Sequence, residues 1–146
     1  MNAQPKLILA SRNQVDLSTG IPILIAELAE YRKTFPLNSS VFSIGRHPSN
    51  DLVIKDRHVS RYHATIAWLK SLDKTQKDES CAYWIIDGKG QEKRSRNGIE
   101  INGTKKLLHR LHTGDRIAIG NSTKIIYQCM THTREENSQL NTIYYL

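Results

Sequence analysis

Cysteine is scarce in this 146-residue chain: Cys81 and Cys129 are the only two, and no CxxC spacing occurs. That excludes a disulfide framework and offers no zinc or redox motif, so both are read as free thiols. Long apolar runs are missing too. No stretch of about 18 consecutive apolar residues is present to cross a membrane as a helix, and the N-terminus lacks the basic region and apolar core of a secretory signal. A soluble, cytoplasmic protein is the expectation. Acidic residues are also in short supply, 14 Asp and Glu against 21 Lys and Arg, for a net charge of +7. The average field around such a chain attracts anions, whether nucleic acid, anionic lipid or phosphorylated protein.

An apolar fraction of 38% with 24% charged residues is enough to fold one domain of this length. From about residue 23 the pattern is short β-branched runs separated by Gly, Asn, Asp and Pro at intervals of roughly ten. This spacing predicts an all-β chain, a two-sheet antiparallel β-sandwich. The expected strands are 23–28, 34–37, 41–45, 52–54, 63–69, 83–87, 98–101, 116–119 and 123–128. Residues 21–31 also suit a helix face through Ile25, Leu28 and Ala29, but are read as strand. Asn102-Gly103 is a favourable reversal, and turns at Gly114 and Gly120 flank the 116–119 strand. The polar stretch 70–80 reads as a connection facing water. The expected organisation is an arm over 1–20, a folded module over 21–129 and a tail over 130–146, with no internal repeat.

Three clusters mix Gly with Arg, Ser, Asn or His at the ends of expected strands, where binding sites concentrate. The first is Ser43-Ile44-Gly45-Arg46. The second is Val59-Ser60-Arg61-Tyr62-His63-Ala64. The third runs from Asp87-Gly88 through Ser95-Arg96-Asn97-Gly98 to Ile101-Asn102-Gly103 and Gly114-Asp115. In this order they resemble the forkhead-associated (FHA) domain family, whose pattern is Gly-Arg, Ser-Arg-x-His, Ser-Thr-Asn-Gly and a second Asn-Gly. The likeness spans about residues 23–128 and implies an FHA/SMAD-like sandwich whose apical loops bind phosphothreonine peptides, with no catalysis and no cofactor.

The resemblance assigns the phosphate to the Arg46 guanidinium and to the hydroxyl and amide of Ser60. It gives Arg61 an added charge and has Asn97 grip the peptide backbone. Arg96 stands where the family has threonine, and is read as a further phosphate contact rather than a group swung over the groove. The 89–94 insertion lengthens a nearby loop and offers secondary acidic contacts. The implied partner is a threonine-phosphorylated protein made by a Ser/Thr kinase. The chemistry agrees: a phosphothreonine brings about 1.5 to 2 negative charges and three acceptor oxygens, which call for several fixed donors.

Other residues read as structural. His63 opens a strand beside Ala64 and Ile66, so it is expected to brace the loop from within the core. Gly45, Gly98, Gly103 and Asn102 are expected to meet turn geometry, and Asp51, Asp87 and Asp115 to bond loop amides. The Gly98 to Lys105 stretch has its Lys after the Thr, the wrong order for a nucleotide loop, and no G-x-S-x-G surrounds Ser60. An enzyme is not expected. His109 and His112 form an HxxH without a companion ligand set, so no metal is expected. Two rival functions remain. The basic residues Lys89, Lys93, Arg94, Arg96, Lys105, Lys106 and Arg110 would serve nucleic-acid binding, though no aromatics interleave for stacking. A phosphate-independent adaptor could use a strand edge instead.

Overall fold

A computed structural model describes residues 6–12, 20–72, 81–90 and 93–130, all strand, turn or loop. The strands are β1 (Leu7–Leu9), β2 (Ile21–Glu27), β3 (Arg32–Pro36), β4 (Val41–Gly45), β5 (Leu52–Val53), β6 (Ala64–Ser71), β7 (Cys81–Asp87), β8 (Ile99–Ile101), β9 (Thr104–Lys106), β10 (Leu108–Arg110), β11 (Arg116–Ile119) and β12 (Thr123–Met130). One sheet runs β10-β7-β6-β4-β5, with β1 also on β6; the other runs β3-β2-β12-β11-β8-β9. Every pairing is antiparallel except β4 with β5. The two-sheet all-β sandwich expected from the turn spacing is the fold observed.

Period-two patterning decides what lies between the sheets. Ile44, Ile66, Tyr83 and Ile85 from one sheet meet Leu24, Ile99, Ile101, Ile117, Ile119, Ile125 and Tyr127 from the other in a single core. The Tyr83 hydroxyl, carried into that core, donates to the Ser39 carbonyl at 2.7 Å, so burying it leaves no unpaired donor.

The strand bounds differ from expectation where side chains give no alternation. β9 and β10 occupy the basic stretch 104–110, in which all three β9 residues are exposed. β1 falls within the segment expected to be a mere arm and pairs with the second half of β6, Leu9 opposite Leu69. The 21–31 segment is strand only to Glu27; the Leu28 amide then donates to the Tyr31 carbonyl in a turn. Residues 131–146 of the expected tail and most of the 70–80 connection lie outside the described residues, while Met130 ends β12.

Register places the three motif clusters together. Ile44 is opposite Ala64, and Ala64 is opposite Asp87. Gly45-Arg46, His63 and Gly88 therefore leave the sheet side by side at one apex, and the loop after Gly88 leads to Gly98 and β8. At the other end of β8, Asn102 and Gly103 both have positive φ, 53° and 86°, the two-residue reversal that the Asn-Gly pair favours.

Candidate functional site

The apex is assembled by backbone bonds between loops. The Arg46 amide donates to the Ser60 carbonyl at 3.0 Å and the His47 amide to the Arg61 carbonyl at 3.1 Å. The Asn50 side-chain amide, buried beneath them, donates to both the Arg61 carbonyl, 2.7 Å, and the His47 carbonyl, 2.9 Å. So close an approach requires glycine at position 45: a Cβ there would lie 2.2 Å from the Arg61 carbonyl oxygen. The Gly-Arg pair thus sets the separation of the first two clusters rather than a left-handed turn.

His63, fully buried, ties the second cluster to the third. Its Nδ1 accepts the Ser60 amide at 2.9 Å and its Nε2 lies 2.8 Å from the Gly98 carbonyl, so the neutral Nε2–H tautomer satisfies both contacts. The Ser60 amide, one of the groups the family resemblance assigns to the phosphate, is therefore already committed within the fold. Asp87 organises the third cluster. Its Oδ1 accepts the Ser95 amide at 3.2 Å and the Ser95 hydroxyl, while Ser95 Oγ accepts the Gly98 amide at 2.9 Å.

The hydroxyl of Ser60 is placed differently. Its Oγ accepts the Arg96 amide at 2.9 Å. With that lone pair used by a donor, the hydroxyl hydrogen remains to be given, and no acceptor takes it among the described residues. Asn97 donates through Nδ2 to the His58 carbonyl at 2.7 Å, which pins the 57–60 loop to the third cluster, while its Oδ1 accepts no bond among the described residues. An open cleft lies here, lined by Arg57, His58, Arg96 and Asn97. Arg46 donates through Nε to the Val59 carbonyl at 3.1 Å, and the remainder of its guanidinium has no partner among the described residues.

Arg46, Arg57, Arg61 and Arg96 are all exposed, and none forms an ion pair with a carboxylate among the described residues. The nearby carboxylate, Asp56, is turned inward. The His58 backbone N–H, 2.8 Å away, is the main group holding its carboxyl below the usual 3.8, joined by the Asn121 amide and the His58 ring. The anion of the loop is thus used to build it, while four guanidinium groups face solvent. A second depression, walled by Leu28, Tyr31, Ile54, Lys55 and Asp56, has no arginine in its lining.

Arg46, Ser60, Arg96 and Asn97 are therefore brought to one rim, and Arg61 sits on the neighbouring backbone turn. Arg57 and His58 belong to the same cleft, although sequence reading did not single them out. They lie between motifs, and only the Asn97 bond to the His58 carbonyl draws them in. In the 89–94 insertion the Lys89 amide donates to the Lys93 carbonyl at 2.9 Å. Lys89 Nζ sits 3.9 Å over the Tyr62 ring, whose own neighbour is the stacked His47 ring at 5.2 Å. The apex of this all-β sandwich is basic and rich in hydrogen-bond donors.

Comparison with known proteins identifies the family. The FHA domain pattern matches residues 42–120, more than half of the chain. The chain belongs to the FHA domain family. It is 37% identical over 107 residues to the uncharacterized protein sll1895 of Synechocystis sp., covering 73% of this chain but only 15% of that protein. Among solved structures it is similar to the Slr1951 protein of Synechocystis sp., with a TM-score of 0.62 and 33% identity over 77% of this chain and 99% of that one. It is also similar to Mycobacterium tuberculosis EmbR in complex with a low-affinity phosphopeptide, with a TM-score of 0.56 and 25% identity over 77% of this chain and 26% of that one. FHA domains are interaction modules rather than enzymes.

Proposed function

We propose that this protein, through a module taken as residues 21–129, binds threonine-phosphorylated proteins and has no catalytic activity of its own. Its partner would be the product of a Ser/Thr kinase, met in the cytoplasm. The observation that carries the reading is the Ser60 hydroxyl: held by the Arg96 amide at 2.9 Å, it keeps a hydrogen to donate at the rim where Arg46 also stands. A phosphate dianion seated there would take that hydrogen and the free edge of Arg46, with charge from Arg61 and Arg96. Asn97 Oδ1 would accept from the peptide backbone. Arg57 and His58, in the same cleft, extend the set of residues beyond those the motifs name. The phosphopeptide bound to EmbR supports the assignment by likeness.

Charge-assisted hydrogen bonds contribute about 1.5–3 kcal/mol each, so three or four supply micromolar affinity, about 8 kcal/mol, after ordering costs. The test is titration of the wild type and Arg46→Ala with a phosphothreonine peptide library. Arg46 is exposed, so the variant is expected to keep its fold and lose at least tenfold in affinity. Binding no stronger than to unphosphorylated controls would reject the assignment. A steep loss of oligonucleotide binding with rising salt, in the absence of peptide binding, would favour nucleic acid instead.

A further inference from the structure

At the end of β11 away from the peptide rim, a second cluster of titratable groups has no part in phosphate recognition. His109 lies on β10, His112 and Asp115 follow it in the β10–β11 connection, and their ligand-type atoms all fall within 4.8 Å of one another. His109 Nε2 is 2.8 Å from Asp115 Oδ2, and His112 Nδ1 is 4.0 Å from the same oxygen. The fold supplies a carboxylate that the HxxH spacing alone does not show. We propose that His109, His112 and Asp115 form a binding site for a divalent transition-metal ion of the zinc, cobalt or nickel kind.

The donor chemistry sets the class. Two imidazoles and one carboxylate suit borderline ions and not calcium or magnesium, which require oxygen ligands. A tetrahedral ion with bonds of about 2.0–2.1 Å holds neighbouring donors roughly 3.3 Å apart. The two separations measured here, 2.8 and 4.0 Å, bracket that value. Closing the wider one takes a turn of the His112 ring, which is exposed and makes no hydrogen bond among the described residues. Three protein ligands leave a fourth position for water.

The surroundings hold the carboxylate for such a role. Asp115 is buried, its Oδ1 accepts the Asn102 side-chain amide at 2.9 Å, and its Oδ2 accepts the His112 backbone amide at 2.8 Å. Outer contacts of this kind orient a metal-binding carboxylate. The ion would take the place of the direct contact between His109 and Asp115 and fasten β10 to the turn after it.

The experiment uses the full chain without an affinity tag, titrated with zinc chloride and, separately, with cobalt chloride. The expected result is one equivalent bound, visible absorption of a low-symmetry cobalt complex, and a rise in melting temperature at about 0.1 mM zinc, a hundredfold excess over a micromolar constant. His112→Ala, at an exposed position, should weaken binding at least tenfold and abolish the melting shift. His109→Ala should do the same, and His132→Ala should change neither. No binding at that zinc concentration would overturn the proposal, as would wild-type binding retained in both the His109 and His112 variants or its loss on replacing His132 alone.

Discussion

Gly45→Ala should displace the first two motif clusters from each other without removing any side chain that faces a ligand. The added Cβ would sit 2.2 Å from the Arg61 carbonyl oxygen, 2.8 Å from its carbon and 2.9 Å from the Asn50 side-chain nitrogen. Ordinary contact begins near 3.4 Å, so β4 and the Arg61 turn must separate by about 1 Å. The strain falls on Arg46 N–H to Ser60 and His47 N–H to Arg61, both 3.0–3.1 Å long and both crossing that gap. Overpacking costs about 1–3 kcal/mol, and two weakened hydrogen bonds add about 1 kcal/mol each. The total, about 3–5 kcal/mol, does not exceed the 5–15 kcal/mol of a typical domain, so the variant should remain folded in water at 25 °C. Gly114→Ala is the control. Gly114 has a positive φ of 92° but open space around it, so alanine meets only the left-handed penalty of about 1–2 kcal/mol. Urea unfolding gives the two stabilities, and fluorescence anisotropy with a phosphothreonine peptide gives the two affinities. Gly45→Ala should lose more of both. If it matches Gly114→Ala in stability and keeps wild-type affinity, the Gly45–Arg61 contact does not set the rim.

Asn50→Ala should cost about 1–3 kcal/mol in urea unfolding and weaken peptide binding, because it strips the buried donor shared by the His47 and Arg61 carbonyls; unchanged stability would show those carbonyls find another partner. Acid titration followed by circular dichroism tests Asp115. Its carboxyl is held below the ordinary 3.8, so its contribution is present above that pH and is lost as pH falls through the lower folded value. Asp115→Asn should therefore be less stable at pH 7 and show a shallower decline below about pH 4.

Much of the architecture was legible because turn chemistry and alternation are local. The 41–45 and 116–119 strands have the expected bounds, and Asn102-Gly103 reverses the chain where its positive-φ tolerance predicts. β9 and β10 escaped because Lys105, Lys106 and Arg110 mask the period-two signal; their strand state comes from pairing with β8 and β7, which lies outside their own sequence. β1 escaped for the same reason, being three residues long on an edge. At the site, motif order pointed to Arg46, Ser60 and Asn97, but not to Arg57 or His58, whose positions depend on a long-range bond to Asn97. Nor does any sequence rule reveal that His63 consumes the Ser60 amide, or that Asp115 completes a trio with two histidines.

His63 links the Ser60 amide to the Gly98 carbonyl, 38 residues further along the chain, through one rigid ring. The two sides of the candidate rim cannot open independently without stranding a buried nitrogen, so they should fluctuate as a unit. An incoming ligand would then find its receptor already arranged, and little conformational entropy would be surrendered on capture.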